Sequence, residues 1–67
     1  MVRCNLSRIM GERKLKISEV ERGSKVHRHK ITALYKETAV KVDLDTVDKL
    51  CEFLNCTVCE LFERVEG

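Results

Sequence analysis

Proline and tryptophan are absent from these 67 residues, and only three glycines, one tyrosine and two phenylalanines occur. With 43% apolar residues, that scarcity of Gly and Pro excludes a flexible linker or a disordered tail. Long hydrophobic runs are missing too. No stretch approaches the ~20 apolar residues that a bilayer span needs, so no membrane partner is expected. No apolar core follows Met1, Val2 and Arg3, as it would in a secretory signal. The four cysteines are therefore expected to be reduced thiols of a cytoplasmic protein, not a disulfide framework.

Length excludes more. A chain this short buries only about 60% of its unfolded surface, which leaves little room for a deep, walled active site. Ser, Cys and His are present, but no spacing sets a nucleophile beside a base. Neither an enzyme nor a cofactor is expected. One domain spanning 1–67 is, in the size class of small binding modules that often dimerise.

Charge is what the chain has in quantity, and it is segregated. Residues 1–41 hold eleven Lys or Arg against four Glu, and both His; residues 42–67 hold two basic and seven acidic residues. A segregated positive surface attracts a polyanion, most commonly nucleic acid.

Apolar spacing predicts five short helices. The first covers Asn5 to Lys14, with Leu6, Ile9 and Met10 on one face. The second starts at Ser18, where Ser18 and Glu21 fit a capping box, and ends near Gly23. The third begins near His27 and carries Ile31, Leu34 and Tyr35 at i, i+3 and i+4. The fourth begins near Asp45, buries Val47, Leu50, Cys51 and Leu54, and stops at Asn55. Thr57 and Glu60 form a second capping box that opens a last helix running through Leu61, Phe62 and Val65. Val2 to Cys4 and Thr38 to Asp43 are the likeliest extended pieces. The fold class predicted is all-α.

Helices two and three are joined by a turn of three or four residues, the arrangement of a helix-turn-helix. The second helix of such a pair enters the major groove by its N-terminal end. Here that end reads His27, Arg28, His29 and Lys30, all hydrogen-bond donors. An Arg there can hold guanine O6 and N7 together.

On these residues the chain resembles the Cro/CI-type (XRE-like) helix-turn-helix regulators of phages and bacteria. The likeness runs from about Asn5 to Phe62. It rests on Ile17-Ser18-Glu19-Val20, Val26, Ile31 and Leu34-Tyr35, and more specifically on the stretch Val42 to Cys51 followed by Leu54 to Phe62. The resemblance implies a compact five-helix, lambda-repressor-like domain that binds double-stranded DNA in sequence-specific fashion, with a repressor and a homodimer on an inverted repeat expected. It assigns base reading to Arg28, His29, Thr32 and Ala33. It assigns phosphate contacts to Lys16, Ser18, His27, Lys30, Lys36 and Lys41. Leu6, Ile9, Val20, Val26, Ile31, Leu34, Val47, Leu50, Leu54 and Leu61 match core positions. The dimer contact is placed in the acidic last third, near Phe62 and Val65, with the Val2 to Cys4 segment as the alternative.

Two residues depart from the family pattern. Glu21 stands where Ala is usual and the helices pack closely. Lys25 stands where Gly is usual and a positive φ is easy. These leave open a second reading, a protein-interaction module (antitoxin-like or anti-repressor) that keeps the same fold. The cysteines leave open a third. Cys56 and Cys59 form a C-x-x-C with Cys51 upstream, so a metal- or thiol-responsive regulator would use these three. A lone C-x-x-C is weak, and free Cys often packs as a small hydrophobe, so no metal is expected.

Overall fold

The computed structural model describes residues 1–66. Five helices and two short strands follow the order β1 (Val2–Cys4), α1 (Leu6–Glu12), α2 (Ile17–Ser24), α3 (Arg28–Tyr35), α4 (Leu44–Leu54), α5 (Val58–Leu61) and β2 (Phe62–Arg64). The all-α expectation is thus corrected by a two-stranded antiparallel sheet. Val2 pairs with Arg64, Arg3 with Glu63 and Cys4 with Phe62. The last helix was expected to run on through Phe62 and Val65, because their spacing from Leu61 is helical. It ends at Leu61, and the chain turns extended to meet β1. The partner strand lies about sixty positions away in sequence, so local periodicity could not signal it. Thr38 to Asp43, despite its brief alternation, forms no strand.

All ten residues expected in the core are buried, and Met10 and Cys4 join them. Leu15, Ile17, Cys51, Phe53, Cys56 and Phe62 pack against this cluster while half-exposed. Tyr35, expected on the apolar stripe of α3, is instead exposed. Phe62, expected at a dimer contact, packs on the chain's own core.

The scarcity of glycine shows at the helix ends. Four residues take the left-handed conformation, Lys14 (φ 55°), Lys25 (φ 63°), Glu37 (φ 57°) and Asn55 (φ 52°), and no glycine among the described residues does. Each follows one of the first four helices. Three of these ends are complete Schellman motifs. After α1, Leu15 N–H donates to the Met10 carbonyl at 2.8 Å and Lys14 N–H to Gly11 at 3.2 Å. After α3, Thr38 donates to Ala33 at 2.9 Å and Glu37 to Leu34 at 3.2 Å. After α4, Cys56 donates to Cys51 at 3.0 Å and Asn55 to Glu52 at 3.3 Å.

Gly23 has a different role. A Cβ there would run into the ring of Phe53, so the ring of α4 packs over α2 where that helix has no side chain.

Candidate nucleic-acid interface

The N-cap of α2 lies at Lys16, two residues earlier than the Ser18 expected. Ile17 is its first residue and Lys16 precedes it in extended conformation. The Ser18–Glu21 capping box does not form. Glu19 takes the role instead, accepting the Lys16 N–H at 2.9 Å, and Ser18 lies exposed inside the first turn. Glu21 is released for another task.

The turn between α2 and α3 is three residues, Lys25, Val26 and His27. Lys25 N–H donates to the Glu21 carbonyl at 2.9 Å, the single bond of a simple left-handed helix end. Buried Ser24 closes the rest. Its hydroxyl donates to the Val20 carbonyl at 2.6 Å and accepts the Val26 N–H at 3.2 Å. Val26 is buried in the core and pins the turn from below.

α3 therefore starts from a fixed point, and its first four N–H groups all find acceptors within the chain. Arg28 N–H donates to the Glu21 carboxylate at 2.9 Å, reaching seven residues back. His29 N–H donates to His27 Nδ1 at 3.2 Å. Lys30 and Ile31 donate to the His27 carbonyl at 3.0 and 3.2 Å. Because His27 precedes the helix, its ring does not diverge from His29 as two helical residues would. The ring centroids lie 4.7 Å apart.

Ile31 and Leu34 face the core. At about 100° per residue, His29, Thr32, Ala33 and Lys36 then share the opposite face of α3, and Arg28 lies at its edge beside Thr32. Arg28, His29 and Lys36 are exposed, and Thr32 and Ala33 are half-exposed behind them. Three of the four expected base-reading residues thus lie on one outward face, with Arg28 exposed at its edge. Lys41 lies exposed in the following connection, and with His29 and Ala33 it lines a groove of about 490 Å³. Lys16 and Ser18 lie exposed at the start of α2.

Lys30 differs from its neighbours. Its ammonium sits 3.2 Å from Asp43 Oδ1 and 3.4 Å from Thr46 Oγ1. Asp43 is the N-cap of α4, accepting the Thr46 N–H at 3.1 Å and its hydroxyl at 2.7 Å. The Thr46 hydrogen bond, and then Lys30, hold the Asp43 carboxyl down at about 2. Lys30 therefore fastens α3 to α4. Of Glu21 and Asp43, the two carboxylates that set the start and the seat of α3, the sequence marks Glu21 for a different role, a Ser18 capping box and a departure from the family pattern. Asp43 carried a signal, an Asp three residues before Thr46 at a helix start. The partner of Glu21 carried none, because it is a backbone group of the next helix.

Among the cysteines, Cys51 and Cys56 are neighbours. Cys4 is buried, Cys51 and Cys56 half-buried and Cys59 exposed. Burial, and then the neighbouring Cys56, push the Cys51 thiol up to about 11, which keeps it protonated near neutral pH. No group of three or more His, Cys, Asp or Glu among the described residues is arranged to hold a metal ion. Cys51 and Cys56 occupy the two positions of the α4 Schellman motif that commonly make a hydrophobic contact.

No helix of the structure is long and apolar enough to cross a membrane. No curated protein matches the chain. A family model, described as the Cro/C1-type HTH DNA-binding domain, matches residues 5–67. With a helix pair joined by three residues, a core that fits the pattern and nearly the whole chain matched, this protein belongs to the Cro/C1-type helix-turn-helix DNA-binding family.

Proposed function

We propose that the protein is a sequence-specific transcriptional regulator, acting as a repressor on an inverted-repeat operator. The observation that carries this is the outward face of α3, where His29, Thr32 and Ala33 lie together, with Arg28 at the edge, on a helix whose start is fully hydrogen-bonded. Arg28 and His29 sit in the first turn, which is the part of such a helix that meets base edges. Arg28 pairs with a guanine, and Ala33 and the Thr32 methyl suit a thymine methyl. Lys16, Ser18, His27, Lys36 and Lys41 surround this face and contact phosphates, which set register. Lys30 is left to its place between α3 and α4.

One module reads few base pairs, so two copies act together, with half-sites about one helical turn apart. Support for self-association comes from the apolar side chains Val2, Val40, Val42, Leu44 and Val58. They are exposed, Val40 at 97% and Leu44 at 85%, yet line one groove of about 480 Å³ beside α3. This face replaces the Phe62–Val65 region as the expected contact. Light scattering that finds only monomer, free and on DNA, would remove the dimer from the proposal. Residence in the cytoplasm, where such a regulator meets DNA, is part of the same reading.

The decisive variant is Arg28→Ala. On a duplex enriched from a random pool, it is expected to weaken binding by about tenfold or more, the worth of one bidentate base contact, and to relax preference at one base pair. If DNA binding is unaffected, a protein-interaction role gains, and a partner complex that survives Arg28→Ala would establish it. A metal-responsive role would need about one metal ion per chain in protein purified without oxygen, matching a single site of the kind cysteines form.

A further inference from the structure

The structure gives the Glu21 carboxylate a specific place. It is half-buried in α2 and accepts the N–H of Arg28. An open helix N-terminus presents free N–H groups and a partial positive charge, and it attracts phosphate. In α3 that end is closed. His27 supplies the acceptors for His29, Lys30 and Ile31, and Glu21 supplies a full negative charge beside Arg28.

We propose that Glu21 is a specificity-determining positioning residue, which aligns the start of α3 and withholds that helix end from phosphates. The inference rests on the DNA-binding reading above. Its two effects act on different complexes. Sequence-independent binding comes almost entirely from phosphate neutralisation, so a carboxylate at the tip of the recognition helix weakens it directly. Operator binding adds base contacts from Arg28 and His29. Those contacts need the first turn of α3 held in one place, which is what the Glu21–Arg28 hydrogen bond does. The same residue thus lowers non-specific affinity and supports specific affinity.

Two substitutions separate charge from alignment. Glu21→Gln keeps an acceptor for the Arg28 N–H and removes the charge. Glu21→Ala removes both. Each protein, after a check of its circular dichroism, is titrated against an enriched duplex and a scrambled duplex over a range of salt. For Glu21→Gln, affinity for the scrambled duplex is expected to rise about threefold, and its log–log salt slope to steepen by about 0.9, the share of one added phosphate contact. Affinity for the enriched duplex should change by less than that, so the ratio between the two falls. For Glu21→Ala, affinity for the enriched duplex should also fall about tenfold, as a base contact loses its alignment. A Glu21→Gln protein with the wild-type ratio and slope overturns the inference, as does an equal gain on both duplexes. If Glu21→Ala fails to fold, Glu21→Gln still decides. Wild-type protein that enriches no duplex at all would instead overturn the DNA-binding reading itself.

Discussion

The helix ends after α2 and after α4 meet the same need by different means. After α4, the cap is local and complete. Asn55 tolerates the left-handed conformation, a Schellman pair of hydrogen bonds closes the helix, and two residues later Thr57 and Glu60 cap α5 reciprocally at 2.9 and 3.1 Å. After α2, Lys25 takes that conformation despite its Cβ, only one backbone bond closes the helix, and Ser24 and Glu21 supply the rest. The first corner supports the fold by ordinary means. The second carries the face proposed to meet DNA, and it breaks the local rules at the start of α3. Such breaks are expected at functional sites.

The strongest way to test the contrast is at the contact between the two regions. Gly23→Ala drives a Cβ into the ring of Phe53 and should destabilise the protein by about 1–3 kcal/mol, as overpacking does. Chemical denaturation measures it, and an unchanged midpoint would mean that α2 and α4 separate easily. Next come the two capping-box signals. Thr57→Ala should cost about 1 kcal/mol, because its hydroxyl accepts the Glu60 N–H. Ser18→Ala, at the box that does not form, should stay within about 0.5 kcal/mol. Equal losses would restore the Ser18 cap and remove Glu21 from its role.

A smaller effect separates the two left-handed residues. Lys25→Gly relieves a Cβ clash and should raise stability by about 0.5–1 kcal/mol after the entropy that glycine adds to the unfolded chain. Asn55→Gly should change it by only a few tenths of a kcal/mol, since Asn already visits that region. The smallest effect is a pH dependence. Asp43 holds its proton more weakly folded than unfolded, so its contribution is present above the unfolded value of about 3.9 and fades as pH falls through about 2. The gap in melting temperature between wild type and Asp43→Asn should therefore shrink across that window. A gap that is constant from neutral pH to about 2 would show that the Thr46 and Lys30 contacts do not favour the ionised form.

Much of this is legible in the sequence. The core residues lie at helical spacing, and burial follows spacing. Asn55 and the Thr57–Glu60 box are read from one turn of chain, and Lys25 is read from its place in the family pattern. His29, Thr32 and Ala33 lie together, with Arg28 at the edge, because the face opposite Ile31 and Leu34 is fixed once those two are buried. What escaped depends on pairs distant in sequence or on backbone partners. The β1–β2 sheet joins the two ends of the chain, so Phe62 looked helical. The Glu21–Arg28 bond ends on a backbone N–H, which leaves no trace in side-chain pattern. The Lys30–Asp43 pair is hidden for the same reason, since Asp43 lies thirteen residues on, at the end of a stretch that reads as extended.

The central claim is that the α3 face reads a sequence. In-vitro selection from random duplex DNA at near-physiological salt tests it most directly, since specific and non-specific binding separate there. The account predicts enrichment of an inverted repeat with half-sites about one helical turn apart, lost in Arg28→Ala. Weak, salt-sensitive binding with no enriched sequence would contradict it.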